Sequence, residues 1–183
     1  MAFSADAVAN YFLDRACAAS LPVSPMKLQK LIYFAHGWHL ALEKNGHPLL
    51  AENEQAWEYG PVLPSVYHEF KDFGDQPITR KATEVEFNED RGLVLYEPAI
   101  DQEAAKFADD IEFPKAVLNR IWNVYSPHPA VQLSEMTHEE GSPWWQVRSE
   151  AKRRFRGKIP RGLNIPNELI RNWFRKKFQI REG

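Results

Sequence analysis

Residues 27–46 read KLQKLIYFAHGWHLALEKNG, and residues 56–71 read AWEYGPVLPSVYHEFK. At about 100° per residue, the apolar side chains of the first stretch cover about half of a helix circumference. So wide an apolar arc is typical of a central helix that packs against several others. We expect the opposite arc to be either a solvated face or part of a partner-binding surface. That arc consists of Gln29, Lys30, Tyr33, His36, Gly37, Leu40, Glu43 and Lys44.

Capping and breaking residues divide the rest of the chain into further elements. Ser4 and Ser24 are suitable helix N-caps, and Gly60-Pro61 is a turn signal. A short extended piece precedes that turn at residues 55–59. The helices that periodicity and capping predict cover residues 5–19, 25–44, 64–73, 115–125, 130–138 and about 165–178.

A β-hairpin is predicted in the acidic middle of the chain. Val85 and Phe87 alternate with glutamates, NEDRG at 88–92 supplies turn chemistry, and Val94 and Tyr96 continue the alternation. The predicted fold is therefore mainly α, a compact multi-helix domain with a small β-hairpin or sheet element. We expect one domain over residues 1–183, with a basic helical extension from about residue 148.

The composition is that of a folded protein in a reducing compartment. Of 183 residues, 44% are hydrophobic and 26% are charged, and the single cysteine, Cys17, excludes an internal disulfide. No apolar run approaches the roughly 20 residues that a membrane-spanning helix needs. The first residues lack the basic segment of a signal peptide. We therefore expect a cytoplasmic protein without a membrane partner.

The charge is distributed unevenly along the chain. Residues 1–147 contain 11 basic and 22 acidic residues, whereas residues 148–183 contain 12 basic and 3 acidic residues. The body thus carries −11 and the C-terminal end +9. Such a division indicates either an anionic partner or charge pairing within the molecule.

The sequence supplies no catalytic or cofactor-binding constellation. His36 and His39 are three residues apart, but no third ligand for a zinc ion is apparent near them. Cys17 lies in an alanine-rich helical segment, where a small buried thiol is the ordinary explanation. There is no phosphate-binding loop and no GxGxxG motif. We therefore predict that the protein is not an enzyme and holds neither a metal nor a cofactor.

Nucleic-acid binding is an alternative that the basic C-terminal end raises. The segment RSEAKRRFRGKIPRG at 148–162 interleaves cations with Phe155, so that Arg153, Arg154 and Arg156 could contact phosphates. No helix-turn-helix or RNA-recognition signature accompanies these residues. We therefore treat nucleic acid as a disfavoured partner.

Three blocks of sequence resemble the Panacea domain, the SocA-like antitoxin or phage-associated GepA-type family. They are KLQKLIYFAHGWHLAL at 27–42, AWEYGPVLPSVYHEFK at 56–71 and LSEMTHEEGSPW at 133–144. The similarity extends over approximately residues 5–145, and the blocks occur in the family's order. The resemblance implies a mostly helical domain that acts as an antitoxin, binding and neutralising a toxin encoded beside it, often in a prophage or another mobile element.

The same resemblance suggests a toxin-binding surface and two further partners. One branch of the family resembles a proteolytic adaptor that delivers its toxin to an ATP-dependent protease, and this alternative stays open, as does a homo-oligomer. Many matched residues are expected to maintain the fold, and the polar and amphipathic ones to contact the toxin. The predicted toxin-binding residues are Gln29, Lys30, Tyr33, Trp57, Tyr59, Gly60, Pro61 and Tyr67.

Overall fold

The computed structural model describes residues 2–107 and 111–180. Within these ranges the protein is mainly helical, with eight α-helices and two small antiparallel two-stranded sheets, which confirms the predicted fold class. No helix among the described residues is both long and apolar enough to cross a membrane. The elements are α1 (Ala5–Ala18), α2 (Pro25–Leu42), β1 (Gln55–Trp57), β2 (Gly60–Val62), α3 (Pro64–Phe70), a 3₁₀ turn (Lys71–Phe73), β3 (Glu84–Asn88), β4 (Gly92–Tyr96), α4 (Ile100–Phe107), α5 (Glu112–Tyr125), α6 (Ala130–Thr137), α7 (Pro143–Arg154) and α8 (Asn167–Lys177).

The predicted elements are all present, and two helices appear that the pattern did not place. The Ser4 and Ser24 side chains accept hydrogen bonds from the first turns of α1 and α2, as N-caps do. Helix α4 was missed because it is only eight residues long and lies in a strongly acidic stretch, too short for a clear helical period. Helix α7 begins at Pro143, with Ser142 as its N-cap. The Cys17 thiol on α1 is exposed, so the expectation of a buried thiol is wrong.

Helix α2 is central, as the sequence predicts, and it is buried on nearly every side. Helices α1, α3, α5, α6 and α8 and strand β2 all pack against it. The expectation that its mixed arc is solvated or faces a partner is wrong for most of that arc. Strand β2, α6 and α8 cover the arc, and so its buried residues include Gln29, Lys30, Tyr33, His36, Gly37 and Leu40.

Helix α8 is part of the core and also caps the end of α2. The Phe174 ring lies against Gly37, where a Cβ atom would come within 2.3 Å of the ring. The Arg175 Nε donates to the Ala41 carbonyl at 2.9 Å, near the end of α2. A cation there stabilises α2, since the last carbonyls of a helix have no partner within it. Part of the basic C-terminal end is therefore used inside the molecule.

The β3–β4 hairpin is joined to the core at its base. Asn10 of α1 is buried, and its Nδ2 donates to the carbonyls of Ala82 and Pro98 at 3.0 and 2.9 Å. Its Oδ1 accepts the Ala82 N–H at 2.8 Å. Ala82 precedes β3 and Pro98 follows β4, so one side chain holds both ends of the hairpin. The Lys81 ammonium adds an ion pair to Glu97 at 3.2 Å.

We predict that Gly37→Ala lowers the free energy of unfolding by about 1–3 kcal/mol, because the added methyl overpacks the contact with Phe174. The loss would occur although alanine has a higher helix propensity than glycine. Urea unfolding measures it. The double variant with Phe174→Leu should recover part of the loss, and a Gly37→Ala variant as stable as the wild type would contradict the close contact.

Candidate functional site

The turn between β1 and β2 is held from below by two side chains of α2. The Gln29 amide bonds both backbone groups of Leu63, accepting from its N–H at 2.9 Å and donating to its carbonyl at 3.1 Å. The Lys30 ammonium donates to the carbonyls of Tyr59 and Pro61 at 2.8 and 3.1 Å. Four backbone groups of residues 59–63 are thereby bonded to α2, and the carbonyls of Tyr59 and Leu63 also accept from the Ser134 hydroxyl and the Tyr67 N–H. The turn is rigid because its backbone bonds to the central helix.

Gly60 is required at this turn by both conformation and space. Its φ is +107°, which side-chain-bearing residues rarely adopt. A Cβ atom would lie 2.4 Å from the Lys30 Nζ and 2.7 Å from the Thr137 Oγ1. The turn therefore passes closely between α2 and α6. From the α6 side, the Ser134 hydroxyl donates to the Tyr59 carbonyl at 3.1 Å.

The third sequence block reaches the same turn through α7. The Trp144 Nε1 donates to the Trp57 carbonyl at 2.6 Å, and the Arg148 guanidinium donates to the Ala56 carbonyl at 3.1 Å. The same guanidinium lies 5.1 Å from the Trp144 ring centroid, a cation–π distance. The three blocks thus meet around the end of the β1–β2 hairpin, which we call the YGPV turn (residues 59–62, made of Tyr59 and strand β2).

Buried ionisable groups lie beneath the YGPV turn. Lys30 is only 1% exposed, and burial lowers the pKa of its amino group to about 7, with Glu54 opposing that shift. Burial likewise raises the pKa of the Glu54 carboxyl well above its ordinary value, while Lys30 acts in the opposite direction. Among the residues that the structure describes, none forms a hydrogen bond with either Glu54 carboxylate oxygen or with the Tyr33 hydroxyl. The site thus combines strong polar contacts with a carboxyl whose ionisation is costly.

The outer side of the YGPV turn carries exposed aromatic rings. Tyr59 is 66% exposed, and Tyr67 is also exposed. The half-buried Trp57 ring packs edge-on against Tyr67, with 4.8 Å between ring centroids. Beside these two rings opens a cleft of about 590 Å³ between β1, α3 and residues 159–162. Its lining includes Trp57, Tyr67, His68, Arg148, Ile159 and Arg161.

The predicted toxin-binding residues therefore divide into two groups. Trp57, Tyr59 and Tyr67 present side-chain surface, and toxin contact by them stays a prediction. The other five are buried, so their expected place on a contact surface does not fit this structure: they are Gln29, Lys30, Tyr33, Gly60 and Pro61. Gln29 and Lys30 hold the turn, Gly60 and Pro61 form it, and the Tyr33 ring packs against Phe174.

Sequence reasoning missed the contributions of Glu54, Arg148 and Arg161. The two arginines were counted within the basic end, and nothing in their local sequence indicated that they line a cleft beside Trp57. Glu54 carried no signal, because a glutamate before a strand is ordinarily solvated. Among the described residues, no group of three or more histidine, cysteine or acidic side chains is placed to hold a metal ion.

The predicted nucleic-acid residues lie at the end of α7. Arg153 and Arg154 are in its last turn, Arg156 follows it, and all three are exposed. Within the described ranges no ion pair joins them to a carboxylate, and Arg154 lies 5.6 Å from the Phe155 ring centroid. Contact with nucleic acid stays a prediction.

We predict that Glu54→Gln gains stability relative to the wild type as pH rises. The pKa of Glu54 is raised in the folded state, so the protonated carboxyl contributes its full stability below the ordinary pKa of 4.5. That contribution is lost as the pH rises towards the folded-state pKa. Glutamine does not titrate, so the difference between the two proteins should grow from pH 5 to pH 8 in urea unfolding.

Glu58→Gln is the matched control, because Glu58 is exposed on the same turn and the change also removes one negative charge. An equal gain in the control would show that net charge causes the effect. A difference between wild type and Glu54→Gln that stays constant with pH would contradict the burial argument.

Comparison with known proteins finds a family whose match spans the three blocks from residue 28 onwards. The family model of the SocA-like antitoxin Panacea domain matches residues 28–145. Antitoxin SocA of Caulobacter vibrioides (strain NA1000 / CB15N) is 33% identical over 172 residues, which is 93% of this chain and 82% of that protein. No solved structure shows a significant match. The predicted resemblance is confirmed, and the chain belongs to the SocA-like antitoxin family that carries the Panacea domain.

Proposed function

We propose that this protein is an antitoxin that neutralises a cognate protein toxin, encoded beside it, by binding it directly. Membership of the antitoxin family supports the role. The observation that carries the direct-binding mechanism is the convergence of the three family blocks on the YGPV turn. That turn is fixed by buried contacts and presents Tyr59 outward, and the exposed Tyr67 of α3 and the half-buried Trp57 of β1 lie beside it.

The physical properties of these rings suit a protein interface. Aromatic side chains provide large contact area and lose little conformational freedom, and they are enriched among the residues that dominate binding energy. Here the backbone that carries them is held by Lys30 and Trp144. A surface that is ordered before binding gives up less entropy when the complex forms.

The cleft beside the rings adds chemical selectivity. Arg148, Arg161 and His68 line it together with Trp57 and Tyr67. A partner segment that carries a carboxylate next to an apolar or aromatic side chain would match both parts of this lining. The role we propose is stoichiometric binding, in which no bond of the toxin is made or broken.

We predict that the variant Tyr59→Ser with Tyr67→Ser loses protection against the toxin while it remains folded. The Tyr59 ring is mostly exposed, so its removal should lower the free energy of unfolding by at most about 0.5 kcal/mol, and loss of the Tyr67 contact with Trp57 should add about 0.5–1.5 kcal/mol. Loss of two aromatic contacts should weaken toxin binding about 10- to 100-fold. Co-expression with the product of the neighbouring reading frame, followed by calorimetric titration of the purified pair, measures both.

Phe155→Ser is the matched control, since Phe155 is exposed to nearly the same degree as Tyr67 but lies after α7. Full protection by the double variant would contradict the proposal that Tyr59 and Tyr67 contact the toxin. A neighbouring product that is harmless alone, or equally lethal beside the wild-type protein, would overturn the antitoxin role. Disappearance of the toxin in cells without inhibition of the purified toxin would identify the protease adaptor instead.

The exposed cations at the end of α7 supply a test of the nucleic-acid alternative. If they bind phosphates, affinity for a nucleic acid should fall steeply with salt, and Arg153→Ala, Arg154→Ala and Arg156→Ala together should abolish it. We expect the triple variant to protect against the toxin as the wild type does. Loss of protection together with loss of salt-dependent nucleic-acid binding would favour the alternative.

A further inference from the structure

The β3–β4 hairpin exposes a continuous apolar face. In its antiparallel register Val85 is opposite Leu95, and Phe87 is opposite Leu93. Because side chains alternate along a strand, these two pairs lie on the same side of the hairpin. Their exposed fractions are 59% for Val85, 69% for Leu95, 70% for Phe87 and 76% for Leu93. Four large apolar side chains in one cluster are unusual on a free surface.

The opposite face of the hairpin has a different character. Glu84, Glu86, Val94 and Tyr96 alternate with the apolar four, and Glu84 accepts a hydrogen bond from the Tyr96 hydroxyl at 2.6 Å. The apolar face is therefore not the side that belongs to the core. Two strands alone cannot bury such a face.

The base of the hairpin is rigid although its strands extend away from the core. Asn10 bonds the chain on both sides of the hairpin, and Lys81 forms ion pairs with Asp14 at 2.7 Å and with Glu97 at 3.2 Å. The apolar face is consequently presented in one orientation. Such pre-organisation lowers the entropic cost of docking.

Charge identifies the kind of partner that would cover this face. Residues 84–96 contain four acidic residues and one arginine, a net charge of −3, with Glu89 and Asp90 exposed at the tip. A second copy packed through the same face would bring two negative hairpins together, which costs Coulomb energy. A partner with an apolar strip bordered by lysine or arginine would bury the apolar face and would also pair with the acidic residues around it.

We propose that the Val85, Phe87, Leu93 and Leu95 face of the β3–β4 hairpin is a docking surface for the toxin, whose matching surface is apolar and bordered by basic residues. This inference rests on the proposed function and assigns it a second contact, separate from the aromatic rings of the YGPV turn. It also gives the acidic body a role in the choice of partner.

The test is binding of the purified product of the neighbouring reading frame to Phe87→Ser with Leu93→Ser. We expect affinity to fall about 10- to 100-fold, as for loss of central apolar contacts. The matched control is the exchange Phe87→Leu with Leu93→Phe, which keeps the apolar composition and should bind as the wild type does. Wild-type affinity should fall with salt, and Glu89→Lys with Asp90→Lys should weaken it further.

Each outcome separates this inference from the function on which it rests. If the wild type neither binds nor neutralises the product, the proposed function fails and the docking surface with it. If the wild type binds and the serine variant binds equally well, the hairpin inference alone is overturned. It is also overturned if the exchange control loses as much affinity as the serine variant. A wild-type dimer that becomes a monomer in the serine variant would assign the face to a second copy.

Discussion

The Lys30 ammonium donates hydrogen bonds to the carbonyls of Tyr59 and Pro61, and the arrangement of the three family blocks depends on this interaction. Lys30 belongs to α2. Among the described residues, its amino group alone donates to both of these carbonyls. Removing it would take this donor from the Pro61 carbonyl and leave the Tyr59 carbonyl with the Ser134 hydroxyl as its side-chain donor. Gly60 completes this contact, because any larger residue would occupy the space of the Lys30 Nζ.

Burial of the Lys30 ammonium costs desolvation free energy, and this cost affects its protonation state. Burial of an amine favours the neutral form, while hydrogen bonds to carbonyls and the nearby Glu54 favour the charged one. A hydrophobic residue at position 30 would avoid the desolvation but could not hold the turn. Buried polar groups that are retained in this way can specify one conformation, which is the best-supported reason to keep them. Here the conformation specified is the position of the YGPV turn on α2.

The sequence was sufficient to locate the helices that have an amphipathic pattern and capping residues at their ends. Ser4 and Ser24 located α1 and α2, and alternation located the hairpin. Periodicity could not reveal that Gln29, Lys30 and Tyr33 are buried, since it reads them as the polar side of a helix. Their burial depends on α6, α8 and the YGPV turn, which come from distant parts of the chain. Of the eight predicted toxin-binding residues, only Tyr59, Tyr67 and part of Trp57 are exposed enough to contact a partner.

Burial of the motif residues has a consequence for how family members could differ in partner. Changes at Lys30, Gln29 or Gly60 would alter the fold, so these positions are unsuitable for adjusting recognition. Changes on the outer face of the β3–β4 hairpin, or at Tyr59, would alter the surface and leave the core intact. A frame fixed by buried polar contacts can therefore carry different recognition surfaces at little cost in stability, because exposed substitutions usually cost little. In this protein the frame and the proposed recognition surfaces are physically separate sets of side chains.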